Sequence, residues 1–198
     1  MRRFTYLPIG PRLVRLFGSS NMAHLVQSHS SRVSSFEMYD IHDSPQWDDN
    51  YRTIFCGDKR GISFALNTDG VNPFKHLKAK YSMWPIMLTL LNLPRHLRYT
   101  FQNIWLLGIV PSNGPKEPAT LDPYLEVVVD EILSLSNKVI YDAYSKAPFK
   151  LKLHLMFYVL DYPGICKVYN TLGSGAYQGC NWCTLQGEYS LLFPLVCM

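Results

Sequence analysis

Two aspartates and two cysteines carry the chemistry that this sequence offers. Asp69 closes an apolar stretch and precedes a glycine, within Leu66-Asn67-Thr68-Asp69-Gly70-Val71-Asn72-Pro73-Phe74. Asp161 closes the run Met156-Phe157-Tyr158-Val159-Leu160 and precedes Tyr162-Pro163-Gly164. Two carboxylates held side by side bind a hard cation such as Mg²⁺ or Mn²⁺, which prefers oxygen ligands. Two such ions can clamp the attacking and leaving oxygens of a phosphodiester in an in-line displacement. Each aspartate also has a plainer account, because Asp-Gly is an ordinary turn dipeptide and an aspartate can simply end a strand.

Cys180 and Cys183, in Cys180-Asn181-Trp182-Cys183, have the spacing of half a zinc knuckle. A structural Zn²⁺ site takes four ligands, and Cys166, Cys197 and His154 are further donors without the expected spacing. A redox dithiol usually opens a helix after a strand, whereas glycines precede this pair. Half a zinc site, a dithiol and two unmetallated thiols all stay open. Five cysteines, an odd number scattered over the chain, argue against a disulfide scaffold and for a reducing compartment. No nucleophile elbow and no phosphate-cradling glycine loop is present.

The elements that must position these residues follow from periodicity. Ile62, Phe64 and Leu66 alternate with Ser63, Ala65 and Asn67, which predicts a strand ending near Asp69. Ile86–Leu91 and Phe101–Val110 read as a second and a third strand, the latter closed by Pro111 and a Ser-Asn-Gly-Pro turn. Asp122 is placed to cap a helix with Pro123 in its first position and Leu125, Val128, Val129, Ile132 and Leu133 on one face. Lys150–Leu160 begins by alternating and becomes continuously apolar, as a strand covered on both faces does. A short helix after Pro163 ends in Gly173-Ser174-Gly175.

The order strand, strand, strand, helix, strand, helix predicts an α/β fold with a mixed sheet. A crossover helix returns the fourth strand parallel to an earlier one. If that neighbour is the first strand, Asp69 and Asp161 meet at the carboxyl edge, where open sheets bind ligands.

At 47% hydrophobic and 17% charged residues, the 198-residue chain is neither disordered nor fibrous and can bury a real core. No apolar run approaches the roughly eighteen residues that cross a bilayer, and no secretory signal is evident. The expected location is therefore nuclear or cytoplasmic, with no membrane partner. The net charge of +4 is unevenly spread. Arg2, Arg3, Arg12, Arg15 and Arg32 stand without an acid before Glu37, Asp40, Asp43, Asp48 and Asp49. Lys59, Arg60, Lys75, Lys78, Lys80, Arg95 and Arg98 then flank Asp69, a pattern suited to a polyanion or to a solvated surface. Pro8, Gly10 and Pro11 interrupt any helix at the start, so residues 1–60 read as an irregular basic arm and acidic linker, with a short helix at most over Arg12–Phe17.

Taken in order, Pro11-Arg12-Leu13-Val14-Arg15-Leu16-Phe17, Thr68–Phe74, Tyr81-Ser82-Met83-Trp84-Pro85, Leu91-Asn92-Leu93-Pro94, Asp161-Tyr162-Pro163 and the Cys180–Cys183 pair resemble the transposases of CACTA (En/Spm-type) DNA elements and their animal relatives. The resemblance implies an RNase H-like catalytic domain that cleaves and joins DNA with an acidic triad and Mg²⁺ or Mn²⁺. The first two acids fall on Asp69 and Asp161. In the family a basic, histidine-containing stretch, an insertion and a helix with the third acid follow the cysteines. Glu188 lies too close behind them for that role, and Leu191–Met198 form a divergent apolar tail.

Residues 61–190 are therefore expected to be a partial RNase H-like domain, and the chain a piece of a transposase cut at both ends. It is expected to be inactive alone and to self-associate through an uncovered sheet edge. A non-enzymatic DNA-binding or interaction protein, domesticated or left over from a transposable element, is the alternative.

Overall fold

The computed structural model of this chain describes residues 3–31, 37–74, 81–112, 118–173, 175–184 and 186. Arg2, Arg32, Lys75, Lys78, Lys80, Glu188, Cys197 and the 191–198 tail, all singled out in the sequence, lie outside the described residues.

Three strands follow one another in the order expected: β1 (Ile62–Thr68), β2 (Trp84–Leu90), which starts two residues before the expected Ile86, and β3 (Ile104–Val110), which starts three after the expected Phe101. The chain then crosses over through a helix and a hairpin. A last strand (Leu153–Val159) lies beside β1 and parallel to it, giving the sheet order third, second, first, last. The other two pairings are antiparallel. On β1, Ile62, Phe64 and Leu66 enter the main core with Ile86, Leu88 and Leu90 of β2. The intervening Ala65 packs on the opposite face with Trp47 and Leu91. The period of two thus marks two buried faces rather than one wet and one dry.

The N-terminal sixty residues depart from the irregular arm expected. They form α1 (Gly10–Gly18), α2 (Ser20–Gln27) and α3 (Pro45–Thr53). Pro11 sits in the first turn of α1, where a missing N–H costs nothing, so it starts the helix that it was expected to break. Ile9, Leu13, Leu16 and Phe17, spaced for one helical face, are buried in the main core with Ala23 and Val26 of α2. Glu131 completes α1 from elsewhere in the chain: its carboxylate accepts the Ile9 and Gly10 amides at 2.9–3.0 Å and the Tyr6 hydroxyl. Ser44 caps α3 by accepting the Trp47 amide at 3.2 Å.

α4 (Arg95–Arg98) lies between β2 and β3, and the crossover after β3 starts with α5 (Asp122–Leu135). Asp122 is the first residue of α5 and makes no cap bond; the capping position falls on Leu121. Leu125, Val128, Ile132 and Leu135 form the buried face, while Val129 and Leu133, expected there, are exposed. The predicted strand from Lys150 to Leu160 is broken in two. Its start belongs to a separate hairpin of β4 (Val139–Asp142) and β5 (Ala147–Lys150), and the chain resumes as β6 (Leu153–Val159).

One sheet edge is covered. Leu7 donates to the Leu107 carbonyl at 2.7 Å and Tyr6 bridges to Gly108, so the N-terminal segment lines the outer side of β3. A Cβ at Gly108 would stand 2.6 Å from the Phe4 ring, so the close approach requires glycine. β6 is the strand at the other edge.

On the opposite sheet face, Arg98 donates to both oxygens of Asp40 at 2.7 and 3.0 Å, with both side chains nearly buried. His42 joins them through a 2.7 Å bond to the Leu91 carbonyl. Burial opposes ionisation of Asp40, but the Arg98 guanidinium outweighs it and holds the carboxyl below its ordinary value.

Candidate functional site

Where β1 and β6 end, the chain opens a cleft of about 670 Å³. Asp69 and Gly70 line it from the end of β1, Trp84 from the start of β2, and Asp161 from the end of β6. A further wall is α6 (Tyr162–Tyr169), which contributes Pro163, Cys166 and Lys167, followed by Asn170 and Thr171, and Ala119 also lines the opening. The parallel β1–β6 pairing is what brings the two predicted acids to one opening.

The two aspartates are not equivalent. Asp69 is exposed. Asp161 is also exposed, but its Oδ1 accepts the Gly164 amide at 2.7 Å, which makes it the N-cap of α6. The cap explains why Asp-Tyr-Pro ends a strand and starts a helix at once: aspartate satisfies a free amide and Pro163 needs none. Asp161 Oδ2 takes no part in that cap bond.

Local packing fixes the walls. Val71 and Met83 exchange backbone bonds of 2.8 and 3.0 Å, which folds the turn after Asp69 back onto the start of β2. A Cβ on Gly70 would lie 3.0 Å from Ser82 Oγ and 3.1 Å from two carbons of the Trp84 ring, so the glycine permits a tight seat over the indole. Lys167 places its ammonium 5.9 Å from the Trp84 ring centroid. α6 ends at Asn170 in the left-handed conformation, φ 53°, before the glycines expected to stop it. Asn170 Nδ2 donates to Asp122 Oδ2 at 2.8 Å, which ties this helix to the start of α5.

The cysteine pair lies on a loop tied to α6. The Tyr162 hydroxyl donates to the Gly179 carbonyl, and Asn181 Nδ2 to Cys166 Sγ at 3.7 Å. A hydrogen bond from Cys183 and another from the Trp182 amide push the Cys180 thiol below its ordinary range. Among the described residues, Cys56, Cys166, Cys180 and Cys183 take part in no disulfide. No group of three or more His, Cys, Asp or Glu among those residues is arranged to hold a metal ion. Among the described lining residues, the charged oxygen donors are two carboxylates, with the Cys166 thiol beside them. This set fits a small hard cation that keeps most of its coordination as water or substrate oxygen.

Lys167 and Asn170, with Ala119 and Thr171, line the cleft without having been singled out in the sequence. Trp84 lines the cleft as well, although it belongs to the main core. The available signal was the spacing of Pro163, Cys166, Lys167 and Asn170, which is i, i+3, i+4, i+7 from the first helical turn after Asp161.

A family model described as transposase family tnp2 matches residues 37–194. No curated protein and no solved structure matches the chain. Among the described residues, no helix is long and apolar enough to cross a membrane.

Proposed function

We propose that this chain, which belongs to the transposase family tnp2, carries the acidic half of a metal-dependent site for DNA strand cleavage and transfer. Asp69 and Asp161 are its metal ligands, and Mg²⁺ or Mn²⁺ its cation. The observation that carries the reading is the opening of both aspartates onto one cleft at the ends of adjacent parallel strands. Strand order and the crossover through α5 support an RNase H-like assignment, and the ordered motifs support a CACTA-type relationship. A bound cation would neutralise charge on a phosphodiester and polarise it. The chain's own residues orient that cation: Asp69 from a strand end, and Asp161 through an oxygen not committed to the α6 cap.

Two protein carboxylates hold such a cation loosely, so we propose that the described cleft binds metal and DNA without cutting DNA by itself. A nicking assay on supercoiled DNA with Mn²⁺ is expected to give no cleavage. Robust nicking abolished by Asp69→Ala would overturn this.

One observation favours a second reading, a non-enzymatic DNA-binding protein derived from a transposable element: Asp161 already has a structural duty as a helix cap. In that case DNA binding falls with salt and ignores Asp69→Ala. Nuclear residence follows from DNA as the partner. Zn²⁺ at Cys180 and Cys183 belongs to the same proposal, tested by metal analysis of the purified protein. Self-association through the β6 edge is tested by sedimentation, where a sharp monomer boundary would count against it.

A further inference from the structure

We infer that Lys167 is the phosphate-receiving arm of this cleft, taking a non-bridging oxygen of DNA while the aspartates face the cation. The inference rests on the metal-cleft reading for the class of its ligand.

The charge of the lining sets the problem. Among the described residues of the lining, Asp69 and Asp161 are the acids and Lys167 the basic side chain, so these residues together carry a formal charge of −1. A polyanion gains nothing by entering such a cleft. One divalent cation raises the charge to +1, and without Lys167 the loaded cleft would be neutral. Attraction of a phosphate therefore depends on the lysine as much as on the metal.

Two further observations place the lysine for that role. Its ammonium is held over the Trp84 ring, at 5.9 Å, so the long side chain is already partly ordered on the cleft wall. Trp84 itself is only 3% exposed, and its indole Nε1 meets no acceptor among the described residues. A buried donor left unbonded calls for an explanation. Here it belongs to a residue that lines the same cleft as the lysine and whose ring the ammonium approaches.

Lys167 also lies in the last turn of α6, where a cation favours the helix dipole. That role predicts a loss of stability and no change in how binding responds to salt, so the two accounts separate experimentally. The full-length chain is titrated with a short labelled duplex, by anisotropy, over a series of salt concentrations in Ca²⁺ and in EDTA. Tb³⁺ emission sensitised by Trp84 reports cation binding independently.

Lys167→Gln is expected to weaken duplex binding in Ca²⁺ by about tenfold and to lower the salt slope by about 0.9. Its Tb³⁺ emission should persist, and Lys167→Arg should restore both affinity and slope. Unchanged affinity and slope in Lys167→Gln, with Tb³⁺ emission intact, overturn the inference. Tb³⁺ emission that survives Asp69→Asn overturns the metal reading instead, and the salt slope in EDTA then decides on Lys167 alone.

Discussion

Asn67 and Val159 are the last register partners of the parallel β1–β6 pair, and the aspartate two residues beyond each opens onto the same cleft. The symmetry is one of the backbone, since residues two apart on a strand share a face. It ends at the side chains. Asp161 is bound to the first turn of a helix and Asp69 to a turn that folds back onto Trp84.

That difference predicts opposite mutational profiles for two residues with one proposed role. Asp161→Ala should lower stability by about 1 kcal/mol through the lost cap, whereas Asp161→Asn keeps an acceptor oxygen and should melt like the parent. Asp69→Ala, at an exposed position, should change stability by no more than about 0.5 kcal/mol. All three should weaken Mn²⁺ binding. Thermal melts run beside Mn²⁺ titrations check both halves, and equal destabilisation by Asp161→Asn and Asp161→Ala would remove the capping account.

Gly70→Ala tests the seat over the indole. The new methyl would press on Ser82 Oγ and the Trp84 ring at 3.0–3.1 Å, so one of them must shift. A cost of about 1 kcal/mol is expected, with a change in Trp84 emission and weaker cation binding. An unaltered emission spectrum would mean that the turn relaxes away from the ring.

The Asp40–Arg98 pair fastens the segment before α3 to the turn after β2. Removing the guanidinium alone, in Arg98→Met, leaves a poorly hydrated carboxylate and should cost about 3 kcal/mol in denaturant unfolding. Adding Asp40→Leu should recover much of that loss, because the buried charge is then gone as well. A double variant as unstable as the single one would show that packing, not charge, dominates there.

His29 gives the fold a specific response to acid. Burial first, and the neighbouring His42 second, lower its value from 6.5 to about 4 in the folded protein. Its Nε2 pairs with the Lys59 carbonyl at 3.2 Å. The unfolded chain binds the proton more readily, so stability is complete above pH 6.5 and is withdrawn as pH falls towards 4. At about 1.4 kcal/mol per pH unit, the window removes about 3 kcal/mol. His29→Gln should flatten unfolding free energy between those limits, and an unchanged pH slope would assign the response to other groups.

Parts of the fold with a local cause are legible in the amino acids alone. Alternation in β1, the apolar runs of β2 and β3, and Asp-Tyr-Pro as the junction of strand and helix can all be read from neighbours a few residues apart. The two aspartates were legible for that reason, each at the end of a strand. Tertiary structure alone decided what surrounds them and what the first sixty residues do. α1 has no cap in its own sequence, because the carboxylate that closes it belongs to Glu131 in α5. Pro8, Gly10 and Pro11 therefore look like breaks locally, although a long-range contact starts a helix at Gly10. Trp84 carries no local mark of a site either, and Lys167 only the helical spacing that it shares with Pro163, Cys166 and Asn170. Trp84 and Lys167 meet only because β1 pairs on one side with β2 and on the other with β6, and that pairing sets α6 against the indole. Periodicity records which face of an element is buried; the partner against which it is buried depends on residues far along the chain.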